Sequence, residues 1–387
     1  MTLQRKLKFG QIGGGRGSFI GRVHRRAAQA DGQTELVAGA FSSTPEKAKA
    51  SGRDLLIADS RNYGSWQEML DNEVSLLIGE RIDFVNIVTP NHMHFEPALA
   101  FVEAGFHVIM DKPMVHTSAQ AEALATAVHN HNVIFALTHN YTGYPMVKEG
   151  REWIRNGRLG QIQRVVVEYP QGWLRRRVEI EGADQSHIWR LNPAISGIGG
   201  AVGDIGSHCE NLMTTMTGLE LEAICADLST FISPHGLDDD ASILLRFTNG
   251  AKGLLYCSQI ATAEENNLNI RIYGTKGALA WHQEHPNQLT FKDPNGPAKT
   301  FKRGHDYLSG FAKNATHLPP GHPESFFDAF SNVFKNFTST VRARLEGREP
   351  TAQALDFPTV EDGARGVKFI EKVIESGNSE KKWVEFK

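Results

Sequence analysis

The chain opens with short apolar runs that alternate with stretches of helical periodicity. Leu7 to Ile12 is a largely apolar run that stops in glycines, which predicts a buried strand. Phe19 to Ala30 carries apolar and small residues suited to a helix packed on a sheet. Leu36 to Phe41 predicts a second buried strand and Pro45 to Ser51 a helix. Phe84 to Val88 predicts a third strand, stopped by Pro90, and Pro97 to Ala104 a helix closed by Gly105. His107 to Met110, Ala119 to His129 and Val133 to Leu137 continue as strand, helix and strand. Alternation sustained from residue 7 to about 140 predicts an α/β domain with a doubly wound parallel sheet over 1–140.

The pattern then changes. Gln163 to Tyr169, Ala223 to Phe231, Ala241 to Phe247, Gly250 to Gln259, Asn267 to Tyr273 and Ala278 to Trp281 read as strands, mostly without helices between them. Thr248-Asn249-Gly250 and Tyr273-Gly274-Thr275-Lys276-Gly277 are turn signals between such strands. A second, α+β domain with a large, mostly antiparallel open sheet is therefore expected over 141–387. Ser325 to Leu345 and Val360 to Ser376 read as helices, and the C-terminal helix is expected to pack back on the first domain. Residues 283 to 323, rich in Pro, Gly, His and Asn, read as a long irregular connection.

Composition narrows the partner. The 387 residues suit two or three domains of roughly 150 residues. Lys plus Arg is 41 and Asp plus Glu is 44, a net charge of −3. That balance argues against a nucleic-acid partner held by counterion release and against a polybasic membrane-surface protein. Cys209, Cys225 and Cys257 lack C-x-x-C spacing and read as small buried thiols in a reducing compartment. No apolar run reaches about 18 residues, so no membrane span is expected. The basic start, Met1 to Lys6, is followed by an apolar segment that breaks at Gly10, which does not fit a signal peptide. A cytoplasmic protein with a small-molecule partner is the expectation.

The first strand feeds into Gly13-Gly14-Gly15-Arg16-Gly17-Ser18-Phe19-Ile20-Gly21. A glycine turn between a first strand and a helix lets backbone N–H groups and the helix N-terminus meet a pyrophosphate. The strict G-x-G-x-x-G spacing fails, because the sixth position from Gly13 is Ser18. After the second strand, Ser42, Ser43 and Thr44 stand where an NAD site carries an acidic residue. The hydroxyls with Lys47, and Arg16, suit a 2′-phosphate, so NAD and NADP are evenly matched on these residues alone.

Two further motifs, Val88-Thr89-Pro90-Asn91-His92-Met93-His94 and Gly105-Phe106-His107-Val108-Ile109-Met110-Asp111-Lys112-Pro113, resemble the glucose–fructose oxidoreductase / inositol dehydrogenase / rhizopine catabolism (Gfo/Idh/MocA) family. Gly199-Gly200-Ala201-Val202-Gly203-Asp204-Ile205-Gly206-Ser207-His208 resembles that family's second-domain signature, a glycine pair followed by D-x-G-x-H. The resemblance implies an N-terminal Rossmann domain and a nicotinamide cofactor (NAD, with NADP not excluded), and the open sheet of the second domain suggests a homo-oligomer, dimeric or tetrameric. It extends to a branch that includes levoglucosan and scyllo-inositol dehydrogenases. The glycine turn matches the family run G-x-G-x-x-G-x-x-H once Gly17-Ser18-Phe19 is taken as an insertion, which puts Gly13, Gly15 and Gly21 in the three glycine roles and His24 at the end. Arg16, Phe19, Ile20, Ser42, Ser43, Thr89, Pro90, Asn91, His94, Asp111 and Lys112 complete the expected cofactor contacts. Asp111 departs from the family's glutamate and is shorter by about one C–C bond.

Oxidising a secondary alcohol needs a base for the hydroxyl proton and a positive group for the developing alkoxide. Asp204 and His208 lie four apart, on one face of a helix. His208 suits a general base near neutral pH, Asp204 suits a hydroxyl acceptor, and Lys112 follows a strand that ends near the expected nicotinamide. Tyr141, Tyr144, Gln171, Trp173, Trp189, Arg190 and His322 are aromatic or polar residues suited to a sugar, beside Lys112, Asp204 and His208. His131, His285 and His305 show no ligand-like spacing, so no metal is expected. Asp238-Asp239-Asp240 reads as a solvated turn before a strand. The leading expectation is a dehydrogenase of a cyclic polyol or pyranose. A glycosidase-type redox cycle that retains its cofactor and a dinucleotide-sensing regulator are the alternatives.

Overall fold

The computed structural model describes residues 3–178, 185–233 and 235–386. The chain divides into two compact units: Met1–Asn140 with Phe330–Ala364, and Tyr141–Ala329 with Arg365–Lys387.

The first unit contains β1 (Leu7–Gly13), α1 (Phe19–Gln29), β2 (Thr34–Ala40), α2 (Pro45–Asp54), α3 (Trp66–Ser75), β3 (Phe84–Val88), α4 (Phe95–Glu103), β4 (His107–Met110), α5 (Ser118–His131) and β5 (Phe135–Leu137). Its strands pair in parallel in the order β2-β1-β3-β4-β5. β3, β4 and β5 are buried throughout, as strands covered on both faces must be. The order reverses between β1 and β3, and ligands of such sheets bind outside the carboxyl ends at that point. The glycine turn follows β1 and Thr89-Pro90-Asn91 follows β3, so both stand there.

Helix α3 is absent from the hydrophobic pattern. Its fully buried positions are Met69 and an acid, Glu73. Glu73 is held by Arg61, the Tyr63 hydroxyl and the Ile82 N–H. A charge on the buried face hides the helical period.

The second unit contains α6 (Pro145–Arg155), β6 (Ile162–Pro170), α7 (Pro193–Ser196), α8 (Ser207–Thr217), β7 (Leu221–Ser229), β8 (Asp240–Phe247), β9 (Lys252–Ser258), β10 (Asn269–Gly274), β11 (Ala278–His282), β12 (Gln288–Lys292), β13 (Lys299–Lys302) and α9 (Gly310–Asn314). Helices α10 (Phe326–Leu345) and α11 (Val360–Asn378) follow, and β14 (Trp383–Glu385) ends the sheet. Among the described residues the sheet has nine strands, β13-β12-β11-β10-β6-β9-β8-β7-β14. Every pairing is antiparallel except β6 with β9. β8 alternates strictly between buried and outward residues, the mark of a sheet with one face on a core.

Two expectations need correction. Residues 283–323 are not an irregular connection, because they hold β12, β13 and α9. The strands are four or five residues long, and Leu289 and Phe291 alone supply the buried alternation, too short a signal among prolines and glycines. Residues 330–364 cluster with the first unit rather than with 141–329. Phe337 of α10 meets Phe84 of β3 edge-on at 5.3 Å, and Phe330 and Phe334 pack on His24. Among the described residues, no helix is long and apolar enough to cross a membrane.

Candidate active site

In the first unit the glycine turn is tied on both sides. The Gly15 N–H donates to the Phe41 carbonyl beyond β2, and the Ser18 N–H donates to the Gly15 carbonyl. Ser18 caps α1 by accepting from the Gly21 N–H. A Cβ on Gly21 would lie 2.2 Å from the Gly14 carbonyl oxygen, so only glycine permits this approach of helix to turn. Gly14 is the turn residue in that approach, and Gly15 packs against Phe41 and Ser51. The tight turn and the first turn of α1 form a cradle suited to a pyrophosphate. Within Gly17-Ser18-Phe19, Ser18 supplies the cap and Phe19 is exposed. The exposed Arg16 guanidinium is paired with Asp54 of α2. Ser42 is half-buried and Ser43 exposed just after β2.

A chain of buried polar groups leaves this turn. Gln11 donates to the Gly13 carbonyl at 3.0 Å, and Asn86 donates to Gln11 at 3.3 Å. Asn86 Oδ1 meets His24 Nδ1 at 2.9 Å. His24 Nε2 then lies 3.5 Å from the Thr138 hydroxyl and 3.9 Å from Asp111 Oδ1. Asp111 Oδ1 accepts from Thr138 at 3.1 Å and from the Lys112 N–H at 2.9 Å. Gln11, His24 and Asn86 are fully buried. Burial dominates His24 and lowers its pKa, against the pull of Asp111. The chain thus runs from the phosphate turn to His24, whose Nε2 lies beside the Thr138–Asp111 pair that holds the Lys112 backbone. The Lys112–Pro113 peptide is cis. His94 is also fully buried; its ring nitrogens face the Pro113 and Thr89 carbonyls at 2.8 and 2.9 Å. It therefore ties the Thr89-Pro90-Asn91 turn to the Lys112 segment instead of presenting a free edge. Thr89 and Pro90 are half-buried, and the Thr89 hydroxyl donates to the Met93 carbonyl.

In the second unit Asp204 lies in a π turn, Val202–Gly206, that runs straight into α8 at Ser207. A π turn winds more loosely than an α turn, so residues four apart stay on one face. This is where helix was expected, with a wider turn. The turn is anchored by Asp238, whose carboxylate accepts from the Gly200 and Val202 N–H groups at 2.7 and 2.8 Å. A Cβ on Gly200 would stand 2.1 Å from the Asp238 carbonyl oxygen, which explains the second glycine of the pair. Asp239 accepts from the Phe231 and Ile232 N–H groups, each at 2.9 Å. The acidic run is therefore not a solvated turn: Asp238 and Asp239 are buried and serve as backbone anchors. Burial raises the Asp238 pKa, against the N–H groups that favour its charged form.

Asp204 Oδ2 accepts from Gln259 at 2.9 Å and lies 3.6 Å from Arg190 Nε. Arg190 stacks on Trp189 at 4.6 Å. Its place is thus beside the acid. The His208 ring sits edge-on to Tyr141, centroids 4.8 Å apart. Tyr141 and Tyr169 share a hydroxyl–hydroxyl hydrogen bond. Asn266 accepts from Tyr169 at 2.6 Å and from Gln171 at 2.8 Å, and donates to Tyr141 at 3.3 Å. Burial raises the pKa of Tyr141 and of Tyr169, so both remain hydroxyls. The structure therefore joins Tyr141, Gln171, Asp204 and His208 around groups the sequence did not single out: Tyr169, Gln259 and Asn266. Trp173 is half-buried just past β6. Tyr144 and His322 line a separate cavity. Cys209 and Cys257 are buried free thiols, and burial raises both pKa values. Among the described residues, no three His, Cys, Asp or Glu side chains group as metal ligands.

Comparison with known proteins adds the family. Residues 7–139 match the oxidoreductase family with an NAD-binding Rossmann fold, and residues 147–280 match the GFO/IDH/MocA C-terminal domain. The uncharacterized oxidoreductase YfiI of Bacillus subtilis is 31% identical over 100% of this chain and 98% of its own length. The chain belongs to the Gfo/Idh/MocA oxidoreductase family. Its N-terminal domain is an NAD-binding Rossmann domain, and the protein is an oxidoreductase. Levoglucosan dehydrogenase of Pseudarthrobacter phenanthrenivorans is 29% identical over 73% of this chain and 75% of its own. An inositol dehydrogenase homolog from Azotobacter vinelandii, solved with NAD+, superposes with a TM-score of 0.93 at 30% identity, covering 99% and 98% of the two chains. The same homolog with NADH and myo-inositol gives 0.90.

Within this Gfo/Idh/MocA chain the glycine turn suits the cofactor's pyrophosphate, because Gly14 and Gly21 pack too closely for a Cβ on either and so set the start of α1 directly behind the turn. Asp111, which stands where the family resemblance led to a glutamate, accepts from the Lys112 N–H and from the Thr138 hydroxyl.

Proposed function

We propose that the protein is an NAD-dependent dehydrogenase that moves a hydride between a ring carbinol of a sugar, anhydrosugar or inositol and the nicotinamide. The observation that carries this reading is the π turn of the second unit. It holds Asp204 and His208 on one face beside a network of hydroxyls and amides suited to a polyol. Bound NAD supplies the carbon that accepts the hydride on oxidation and returns it on reduction. One imidazole nitrogen of His208 takes the hydroxyl proton, and the edge of Tyr141 fixes the plane of that ring. Asp204, held by Gln259, accepts from a neighbouring substrate hydroxyl. Lys112 polarises the reacting oxygen, and Asp111 with His24 positions its backbone. Gly13, Gly14, Gly21 and the start of α1 hold the pyrophosphate; Thr89, Pro90 and Asn91 face the nicotinamide end.

The relatives support the substrate class, since one structure holds myo-inositol and another relative is named for levoglucosan. A spectrophotometric screen at 340 nm with sugars, inositols and both cofactors tests the reading. Stoichiometric reduced cofactor is expected. Turnover of a glycoside with no net reduced cofactor, or tight cofactor binding without turnover of any polyol, would overturn it.

A second copy of the chain suits the outward face of the nine-stranded sheet. Leu244, Leu254 and Val166 lie side by side across β8, β9 and β6 there, with Leu244 47% exposed. Light scattering on the purified protein is expected to give a dimer or tetramer.

A further inference from the structure

The second unit has a cavity of about 800 Å³ that the proton machinery does not use. That is the size of sites for drug-sized ligands, about 300–1,000 Å³. Tyr144, Gln283 and Glu324 line it, and each carries a buried polar atom without a hydrogen bond among the described residues: the Tyr144 hydroxyl, Gln283 Oε1 and Glu324 Oε2. Burial raises the Tyr144 pKa, against the smaller downward pull of the Gln283 side chain. Tyr144 and Glu324 are each 2% exposed. Buried polar groups are nearly always satisfied, and three exceptions around one cavity point to a ligand that completes them.

The cavity wall is built to keep its shape. Buried Arg303 donates to Glu324 Oε1 at 2.7 Å, to Asn287 at 2.9 Å and to the Leu318, Pro319 and His322 carbonyls. Glu324 Oε1 also accepts from the His317 and Leu318 N–H groups. These bonds hold the Pro319-Pro320-Gly321-His322-Pro323 loop and place His322 on the exposed rim. The unmet atoms are two acceptors and one hydroxyl, so the ligand must bring O–H donors. Arg303 is neutralised by Glu324, and at the rim Glu265 and Glu284 outnumber Lys302. That balance suits an uncharged ligand and disfavours a phosphate.

Asn266 links the cavity to the reacting region. It lines the cavity and also binds Tyr141, Tyr169 and Gln171, and Tyr141 meets His208. We infer that the cavity is a second carbohydrate subsite. It takes an uncharged sugar ring joined to the ring that faces His208, so the preferred substrate is a disaccharide or other glycoside. The inference rests on the proposed dehydrogenase reading for its first ring.

The test compares kcat/KM at 340 nm for glucose, myo-inositol and levoglucosan with maltose, cellobiose, sucrose, trehalose and glucose 6-phosphate. The wild-type protein and Gln283→Leu are assayed, with saturation-transfer NMR of the disaccharides on both. At least one disaccharide is expected to exceed its single-sugar counterpart by about tenfold, and Gln283→Leu to remove that advantage while single-sugar turnover stays within about twofold. No disaccharide advantage, an advantage that survives in the variant, or a preference for glucose 6-phosphate would overturn the subsite. If no polyol is oxidised at all, the dehydrogenase reading fails on its own. The NMR then decides the subsite: saturation on wild type and not on Gln283→Leu supports it, and saturation on neither overturns it. A thermal melt checks the folding of Gln283→Leu, and His285→Ala on the exposed rim takes its place if the melt is lost.

Discussion

The two units hold their reactive side chains by opposite means. In the N-terminal unit, the route to Lys112 passes through buried amides and a buried imidazole, and one carboxylate, Asp111, closes it. In the C-terminal unit, the turn that carries Asp204 and His208 is pinned by the buried carboxylate of Asp238 on backbone N–H groups, and tyrosine hydroxyls and amides surround it. The first arrangement depends on a histidine staying uncharged. The second depends on an aspartate staying charged at a cost in desolvation. Acid should therefore strain the N-terminal unit, and loss of a single carboxylate should strain the C-terminal one.

The largest effect is expected from pH. Burial holds the His107 pKa down at about 4, and also lowers those of His24 and His94. Below pH about 6.5 the unfolded chain takes protons that the native histidines refuse, so stability present above that pH is lost as pH falls toward 4. His107 alone should cost about 2–3 kcal/mol by pH 4.5. Urea unfolding at pH 7 and pH 4.5 measures this, and His107→Gln should flatten the slope. Equal loss in both forms would break the contrast.

Next come the reactive groups. His208→Ala and Lys112→Ala should each lower kcat by about two orders of magnitude or more, with NADH binding retained by fluorescence titration. Near-normal turnover of His208→Ala at neutral pH would remove it as the base.

Asp238→Ala should cost about 2 kcal/mol, because two buried N–H groups lose their acceptor. A thermal melt measures it, and kcat should fall with it since the turn loosens. The smallest effect is expected for Gln259→Ala. It frees one oxygen of Asp204 and should lower kcat/KM by about tenfold with little change in melting. An effect on melting alone would make Gln259 structural.

Much of the fold was legible where burial follows hydrophobic period. The strands of the parallel sheet and the long strands of the second sheet all announce themselves in this way. α3 and the β12–β13 hairpin did not, the first because Glu73 occupies a buried position, the second because its strands are too short to show a period. The residues proposed as reactive were read from motif spacing. Their supports were not: Asn86, Thr138, Asp238, Gln259 and Asn266 act through contacts between residues far apart in the chain. Asp238 shows the limit well, since an acidic run looks solvated until its backbone partners are known.

The central claim is a hydride moved between a ring carbon and NAD while His208 handles the proton. Fully C-deuterated myo-inositol, glucose and levoglucosan, each incubated with NAD+ and the protein, test it by mass spectrometry of the cofactor. The account predicts one deuterium in the reduced cofactor per ketone formed, and loss of that transfer in His208→Ala. A ketone formed with no deuterium in the cofactor would contradict it.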